Sequence, residues 1–154
     1  MGTQLTKSQC ILLVEDNQDD YEATSRAFVK ANLCNPIVWC KSGREALDYL
    51  RQEGAYKDGG KDSRPGLVLL DLNMPGMDGR KTLGVIKNDE ILKRIPVIIL
   101  TTSADERDIQ ACYQTGANTY VQKPVSFDGL LEAIKRLKTY WFEIALLPKE
   151  AGHE

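Results

Sequence analysis

Five short aliphatic runs alternate along the chain with longer segments whose apolar residues recur at helical spacing. Runs without polar alternation are typical of parallel strands that are covered on both faces. The runs are Cys10–Val14, Pro36–Cys40, Leu67–Leu70, Pro96–Leu100 and Thr119–Val121. Because strands that alternate with helices favour right-handed crossovers, we expect a three-layer α/β fold with a doubly wound, five-stranded parallel sheet.

Helices are predicted between these runs, at about residues 18–32, 42–53, 79–88, 105–115 and 126–145. Ser42, followed three residues later by Glu45, has the spacing of a capping box and favours a helix start. Gly116 lies where the C-terminus of a helix needs a left-handed residue. The stretch Glu53–Gly66 is rich in glycine and charge, which is typical of a long solvated loop.

Length and composition indicate one domain, because 154 residues are enough for one hydrophobic core. We predict an N-terminal extension at 1–8, the domain at 9–147 and a flexible tail at 148–154. No apolar run approaches the ~18 residues of a membrane-spanning helix, and residues 1–9 lack the apolar centre of a signal peptide. The four cysteines show no CxxC spacing, so we expect reduced thiols and a cytoplasmic location.

Polar side chains follow the first, third, fourth and fifth predicted strands. The first run ends at Glu15-Asp16, the third at Asp71, the fourth at Thr101-Thr102, and the fifth runs into Lys123-Pro124. Because the carboxyl ends of parallel strands meet at one edge of the sheet, these side chains are expected to converge there. Each polar strand end alone has an ordinary structural explanation, whereas the combination predicts a binding site.

Three carboxylates held close together repel one another, and burial adds to the cost of their charges. A hard cation relieves this repulsion, and Mg²⁺ favours a few carboxylates together with water and phosphate oxygens. The predicted edge therefore suits phosphoryl transfer. Asp71, on the central strand, would touch the metal and act as the nucleophile that becomes an aspartyl phosphate.

The roles of the other residues at this edge follow from whether their side chains can extend to the metal or to the phosphoryl group. Glu15 and Asp16 would hold Mg²⁺, and the backbone carbonyl of Asn73 would contribute from the loop after the third strand. Lys123 and the metal would neutralise charge on the transferring phosphoryl oxygens. Thr101 would donate its hydroxyl to the attached phosphoryl group. The structural alternatives are a surface salt bridge for Lys123 and a strand-end hydrogen bond to the backbone for Thr101.

Four motifs resemble those of the receiver domain of two-component response regulators. They are "LLVEDNQDD" (Leu12–Asp20), "LVLLDLNMPGMDG" (Leu67–Gly79), "IPVIILTTSA" (Ile95–Ala104) and "GANTYVQKP" (Gly116–Pro124). The resemblance covers about residues 8–140 and implies a flavodoxin-like sheet of strand order 2-1-3-4-5. It also implies that a histidine kinase phosphorylates Asp71 in a reaction that uses Mg²⁺.

The resemblance supports the same metal and phosphoryl roles and adds a conformational switch. Tyr120 falls on the switch aromatic of the family, whose ring turns inward as the hydroxyl of Thr101 moves towards the phosphoryl group. The alternative is an ordinary tyrosine on an edge strand. Lys123–Pro124 matches a position at which the family often has a cis peptide bond.

Three features differ from the general pattern of the family and indicate a subfamily within it. Glu15 stands where many relatives have aspartate, and Thr102 stands where alanine is often found. The loop Glu53–Gly66 is longer than in minimal receivers. Together with the C-terminal segment, these features resemble the small stand-alone regulators that serve phytochrome-type histidine kinases.

The C-terminal segment has more apolar surface than one helix stripe requires. The stripe is Leu130, Ile134, Leu137, Trp141 and Ile144, and the residues off it are Tyr140, Phe142, Leu146 and Leu147. Because large exposed apolar surfaces mark partner sites, we predict a homodimer through this segment and the face of the fourth helix and fifth strand. The alternative is a segment that folds over its own domain.

The residues after Pro148 are expected to fray, so His153 is not expected to be a phosphodonor or a ligand. We expect no DNA-binding or catalytic output domain, no direct contact with nucleic acid or membrane, and an output through protein–protein contacts. The formal net charge of −2 agrees with the absence of a nucleic-acid surface.

Two other functions use related chemistry. A Mg²⁺-dependent phosphatase of the haloacid dehalogenase type also has an aspartate nucleophile, but it needs a second carboxylate two residues later. Asn73 occupies that position and cannot titrate. A flavin or nucleotide carrier would need a glycine- or hydroxyl-rich phosphate loop after the first strand, where this chain has "EDNQDD".

Overall fold

The structure is a computed structural model that describes residues 2–3, 9–57, 64–144 and 147–148. The strands of its central sheet are β1 (Ile11–Val14), β2 (Ile37–Cys40), β3 (Leu67–Leu70), β4 (Val97–Thr101) and β5 (Thr119–Gln122). They are parallel and lie in the order β2-β1-β3-β4-β5. This order confirms the predicted flavodoxin-like sheet, and every strand begins and ends within one residue of its prediction.

Helices connect the strands, as the alternating pattern predicts. They are α1 (Gln18–Lys30), α2 (Gly43–Arg51), α3 (Gly79–Asn88), α4 (Glu106–Thr115) and α5 (Phe127–Lys138). Each helix follows a residue whose side chain accepts a hydrogen bond from a backbone N–H of the first turn. These caps are Asn17, Ser42, Asp78, Asp105 and Ser126.

Two apolar clusters pack the helices onto opposite faces of the sheet. One cluster joins the strands to α2, α3 and α4 and contains Leu12, Leu70, Ile99, Leu47 and Leu83. The other joins them to α1 and α5 and contains Leu13, Leu69, Ile98, Phe28 and Ile134. Because strand residues alternate between the two clusters, both faces of the sheet are buried. The polar groups that follow the strands are thereby confined to its edge.

The last helix keeps the predicted bounds to within one residue at each end, but its final turns change type. It is α-helical only to Lys138 and continues as a π-helical segment over Thr139–Ile144. A π turn contains an additional residue, which shifts the register of the side chains that follow. Trp141 is 5% exposed in this register and joins the cluster beneath α1 and α5, whereas Tyr140 remains 51% exposed. Trp141 therefore packs against its own domain, as the alternative to a partner contact predicted.

The two ends of the described chain meet in a short antiparallel pairing, in which Gly2 lies opposite Pro148 and Thr3 opposite Leu147. Most of the predicted extension 1–8 and tail 148–154, including His153, lies outside the described residues. The same holds for Leu146 and for residues 58–63 of the predicted loop. Among the residues that are described, no helix has the length and apolar character needed to cross a bilayer.

The amino-terminal ends of β4 and β5 are joined through a lysine of α3. The Lys87 ammonium donates hydrogen bonds to the backbone carbonyls of Lys93 and Ile95 and to Oδ1 of Asn118, at 2.9–3.1 Å. The same Asn118 oxygen accepts from the backbone N–H of Val97 at 2.9 Å. This end of the sheet is therefore cross-linked by side chains as well as by the strand ladder.

Candidate functional site

The carboxylates predicted at the strand ends meet in the structure. β1 and β3 are neighbours in register, with Val14 opposite Leu70, so the residues that follow them emerge side by side. One carboxylate oxygen each from Glu15, Asp16 and Asp71 lies within 4.8 Å of the others. Glu15 and Asp71 are buried, whereas Asp16 is exposed. The three acids form a pocket with one solvent-facing side.

Lys123 supplies the positive charge of this acid pocket. Its Nζ lies 2.8 Å from Oε2 of Glu15, 3.3 Å from Oδ2 of Asp20 and 4.0 Å from Oδ2 of Asp71. Burial disfavours the charged ammonium, but the hydrogen bond and charge of Glu15, helped by the other two carboxylates, outweigh it and raise the Lys123 pKa. The surface salt bridge considered for Lys123 is therefore wrong, because its side chain is 9% exposed.

Burial also affects the pKa of Glu15, which it raises, whereas burial by itself lowers the pKa of Lys123. It raises the pKa of the Glu15 carboxyl to about 7, while the Lys123 ammonium lowers that pKa and the neighbouring charge of Asp71 raises it. The carboxylate accepts a hydrogen bond from the backbone N–H of Asn17 at 3.1 Å. Burial therefore makes the charged form of Glu15 less favourable than that of a solvent-exposed glutamate.

The loop after β3 holds Asp71 in a fixed position. The backbone N–H of Asn73 donates to Oδ1 of Asp71 at 3.4 Å, so the asparagine lies against the carboxylate. Gly79, the first residue of α3, packs against the backbone of this loop. An added Cβ there would overlap the carbonyl oxygen of Asp71 and lie 2.7 Å from Cα of Leu72. Only a residue without a side chain allows α3 to approach Asp71 this closely.

Thr101 ends β4 beside the pocket and is fully buried. Its Oγ1 has no hydrogen-bond partner within the described part of the chain, and burying an unpaired hydroxyl is costly. The predicted alternative, a hydroxyl that bonds to the backbone, is therefore wrong for Thr101. Its backbone carbonyl instead accepts a hydrogen bond from the N–H of Lys123 at 2.6 Å, which joins the ends of β4 and β5. The next residue, Thr102, is exposed.

Tyr120 is half-buried on β5 and packs against the cluster under α2, α3 and α4. Its hydroxyl donates to the backbone carbonyl of Ser103 at 2.9 Å. Ser103 Oγ donates to Oδ2 of Asp108, and the Arg80 guanidinium makes two 2.8 Å hydrogen bonds to the same carboxylate. The loop after β4 is therefore tied to β5, α4 and α3 at once.

The peptide bond between Lys123 and Pro124 is trans, and the described part of the chain contains no cis bond. The cis bond implied by the family resemblance is therefore wrong for this structure. The trans form is the lower-energy isomer even before proline, and with it Lys123 still reaches Glu15.

Two residues of this site were missed by sequence reasoning. Asp20 is the last residue of the first motif, and its carboxylate lies 3.3 Å from the Lys123 ammonium. Its place in the first turn of a helix that follows β1 could have indicated this. Trp39 donates its indole N–H to the backbone carbonyl of Glu15 at 2.6 Å. No local motif signals that contact, because it depends on the pairing of β1 with β2.

The donor set suits a small hard cation. Three carboxylates within 4.8 Å, two of them buried, offer only oxygen ligands, and Mg²⁺ or Mn²⁺ prefers such ligands with water in the remaining positions. The exposed side at Asp16 leaves this edge of the pocket open to solvent. Glu15, Asp16 and Asp71 are thus the residues that could hold a divalent metal.

Comparison with known proteins identifies the family. The family model described as "Response regulator receiver domain" matches residues 11–135. Response regulator Rcp1 of Synechocystis sp. is 34% identical over 148 residues, which are 96% of this chain and 99% of the relative. Its Mn²⁺-bound crystal structure superposes with a TM-score of 0.82 at 35% identity, covering 92% of this chain and 99% of that one.

Two further solved structures are similar over nearly their whole length. The phosphorylated cyanobacterial phytochrome response regulator RcpA is 40% identical, with a TM-score of 0.85, and the match covers 92% of this chain and 99% of RcpA. The bacteriophytochrome response regulator AtBRR is 41% identical, with a TM-score of 0.73, and the match covers 94% of this chain and all of AtBRR.

Proposed function

We propose that Asp71 is the phosphoacceptor of this chain, which belongs to the response regulator receiver domain family and acts in two-component signalling. The observation that carries this proposal is the meeting of three carboxylates and a buried ammonium at one edge of the sheet. Asp71 is the member of this set that directly follows the central strand β3, between Glu15 and the loop that ends at Gly79.

In the proposed reaction, an Asp71 carboxylate oxygen attacks the phosphorus of a phosphohistidine. An oxygen–phosphorus bond forms as the nitrogen–phosphorus bond breaks, and the electron pair of that bond returns to the imidazole nitrogen. The Lys123 ammonium, 4.0 Å from the Asp71 carboxylate, lies where it can stabilise charge on the transferring oxygens. The chain would catalyse only its own phosphorylation and dephosphorylation and would not turn over a separate substrate.

Mg²⁺ is the proposed cofactor, held by Glu15, Asp16, Asp71 and the backbone carbonyl of Asn73. When bound, it would neutralise phosphoryl charge and orient the oxygens for in-line transfer. The oxygen-only donor set supports this assignment, and a relative binds Mn²⁺. The chain's own contribution is to hold these oxygens together, with Lys123 bonded to Glu15 on the buried side.

The proposed switch consists of Thr101 and Tyr120. The unpaired, fully buried Oγ1 of Thr101 would gain an acceptor when a phosphoryl oxygen arrives. Tyr120 is already bonded to Ser103, whose backbone belongs to the same loop. Movement of Thr101 would therefore be transmitted through this loop to β5 and α4, which changes the surface offered to partners.

The proposed upstream partner is a histidine kinase of the phytochrome type. Two similar structures are phytochrome response regulators and match this chain at 40% and 41% identity. The proposed output is a change of protein partners in the cytoplasm, without direct contact to nucleic acid.

A homodimer remains part of the proposal. Trp141 is buried in its own domain, so the contact would use what is left exposed on the last helical segment and on the face of α4 and β5. Tyr140 and Tyr113 are 51% and 49% exposed on these two elements and are the candidate anchors.

The phosphatase alternative has less support. Asn73 lies two residues after Asp71, where that chemistry needs a carboxyl group, and its side chain has no proton to give or take. Family membership also favours two-component signalling over hydrolysis of a separate substrate.

The deciding experiment is phosphorylation by a small donor. We expect incubation with acetyl phosphate and Mg²⁺ to add one phosphoryl group that is stable in acid and labile in base. Asp71→Asn should abolish the adduct, whereas Asp78→Asn, which removes a half-buried carboxylate at the start of α3, should retain it. An adduct on a different residue in the wild-type protein would overturn the assignment of Asp71.

A further inference from the structure

Trp39 holds the peptide group that precedes one of the proposed metal ligands. It lies on β2 opposite Leu13 of β1, and its indole N–H donates to the backbone carbonyl oxygen of Glu15 at 2.6 Å. This carbonyl belongs to the peptide group that joins Glu15 to Asp16. A rotation of that peptide group would turn the Asp16 side chain away from Asp71.

The indole is itself held between two other side chains. The Tyr21 ring stacks on it with a centroid distance of 4.0 Å and an interplanar angle of 4°. The Lys41 ammonium lies 4.8 Å from the centroid of the indole ring, and because Tyr21 occupies one face, it lies over the other. Stacking and cation–π contacts of this kind restrict the orientation of the ring. The N–H group of Trp39 therefore points in one direction.

Asp16 depends on its backbone for its position. Its side chain is exposed, and its carboxylate makes no hydrogen bond or ion pair within the described residues. The peptide group after Asp16 is held by the hydrogen bond from the N–H of Asn17 to Oε1 of Glu15, at 3.1 Å. The peptide group before Asp16 is held by Trp39. The peptide groups before and after Asp16 are thus each held by one hydrogen bond.

These two hydrogen bonds differ in what happens when a metal binds. The Asn17 hydrogen bond uses a Glu15 carboxylate oxygen, and that carboxylate would itself turn to the metal. The Trp39 hydrogen bond uses a backbone carbonyl that has no part in the metal shell. The hydrogen bond from the Trp39 indole is therefore the one that would be kept in both the metal-free and the metal-bound pocket.

We propose that Trp39 is a positioning residue that sets the metal affinity of the acid pocket by orienting Asp16. This inference rests on the proposed function, because it assumes that Glu15, Asp16 and Asp71 bind Mg²⁺. Groups that hold a ligand in place from outside the metal shell contribute about 10-fold or more to metal affinity. The effect should appear in metal affinity and not in the rate at saturating metal.

The test compares the two tryptophans of the chain. Trp39→Phe keeps an aromatic ring for Tyr21 and removes the N–H donor, and we expect Mg²⁺ affinity, measured by titration calorimetry, to fall about 10-fold. Trp141→Phe is the matched control, because the Trp141 Nε1 is buried and has no hydrogen-bond partner in the described part of the chain. Its Mg²⁺ affinity should equal that of the wild-type protein.

A kinetic measurement separates positioning from general damage. The Mg²⁺ concentration needed for half-maximal phosphorylation by acetyl phosphate should rise in Trp39→Phe, while the rate at saturating Mg²⁺ should match the wild-type rate. Wild-type affinity in a folded Trp39→Phe protein would overturn the inference and leave the proposed function intact. A wild-type protein that does not bind Mg²⁺ would overturn the metal site itself.

A second variant keeps the inference testable if Trp39→Phe does not fold. Tyr21→Leu leaves the indole N–H in place and removes the ring that stacks on it. We expect a smaller loss of Mg²⁺ affinity in this variant, because the indole can then turn away from Glu15. Unchanged affinity in Tyr21→Leu, with circular dichroism that shows a folded protein, would contradict the positioning role.

Discussion

Replacing Lys123 by methionine should destabilise the metal-free protein by about 3 kcal/mol, the lower end of the cost of breaking a buried ion pair. The Nζ atom lies 2.8 Å from Glu15, and the two side chains are 9% and 5% exposed, so this contact is largely desolvated. Asp20 is 45% exposed, and its contact at 3.3 Å adds little. The cost arises mainly because the variant leaves Glu15 and Asp71 buried without a counter-charge.

Mg²⁺ should restore much of this loss. A ligand that binds only the folded protein stabilises it in proportion to the logarithm of its concentration over Kd. With the ammonium removed, the divalent cation becomes the remaining counter-charge for the three acids. We therefore expect Mg²⁺ to raise the free energy of unfolding more in Lys123→Met than in the wild-type protein. Urea denaturation followed by circular dichroism, at one pH with and without Mg²⁺, measures both effects.

The matched control is Lys81→Met, which removes the same charge from an exposed position of α3. It should change the free energy of unfolding by no more than about 0.5 kcal/mol. The reasoning is refuted if the metal-free Lys123→Met protein is as stable as the wild-type protein. It is also refuted if Mg²⁺ stabilises the two proteins equally.

Three further predictions concern the core, the loop after β3 and the oligomeric state. Burial, aided by the charge of Glu45, raises the pKa of the Cys40 thiol from a usual value of 9.0 to about 12. As the pH rises, Cys40 therefore loses its thiol proton in the unfolded state before it does so in the folded state. The wild-type protein should therefore lose stability relative to Cys40→Ala above pH 9, by up to about 1.4 kcal/mol per pH unit in urea denaturation; parallel pH profiles would contradict this. Gly79→Ala should destabilise the protein by about 3 kcal/mol or more, since the new methyl overlaps backbone atoms that cannot move aside; a thermal midpoint equal to that of Gly84→Ala, where a Cβ meets open space, would refute this. If the proposed homodimer forms through Tyr140, Tyr140→Glu should shift it towards monomer in sedimentation at micromolar concentration; a wild-type monomer, or a dimer that Tyr140→Glu leaves unchanged, would exclude this contact.

The sheet was predictable because four of its five strands, β1 to β4, are mainly apolar runs whose ends are marked by charged or hydroxyl residues. Burial on both faces excludes polar residues from those runs, so the boundaries of β3, for example, match the sequence pattern at both ends. The carboxyl ends of parallel strands must share one edge. For that reason the meeting of Glu15, Asp71 and Lys123 followed from the order of elements alone.

The contacts that were missed depend on geometry between elements. The Trp39 hydrogen bond to Glu15 requires the in-register pairing of β2 with β1, and no pattern within β2 indicates it. The π-helical segment after Lys138 has the same apolar composition as an α-helix, so spacing could not distinguish the two. The packing of Trp141 against its own domain follows from that local register, which the spacing of apolar residues does not determine.

Lys87 and Asn118 fix the start of β4 relative to the start of β5. The four hydrogen bonds that join α3, β4 and β5 there lie at the start of the strands, while the acid pocket lies at their finish. We expect β4 and β5 to stay fixed relative to each other at this end, so that in the proposed switch a movement of Thr101 would be confined to the opposite end of the two strands. The atoms displaced there would be those of the pocket and of the loop that carries Ser103, where a partner would contact them.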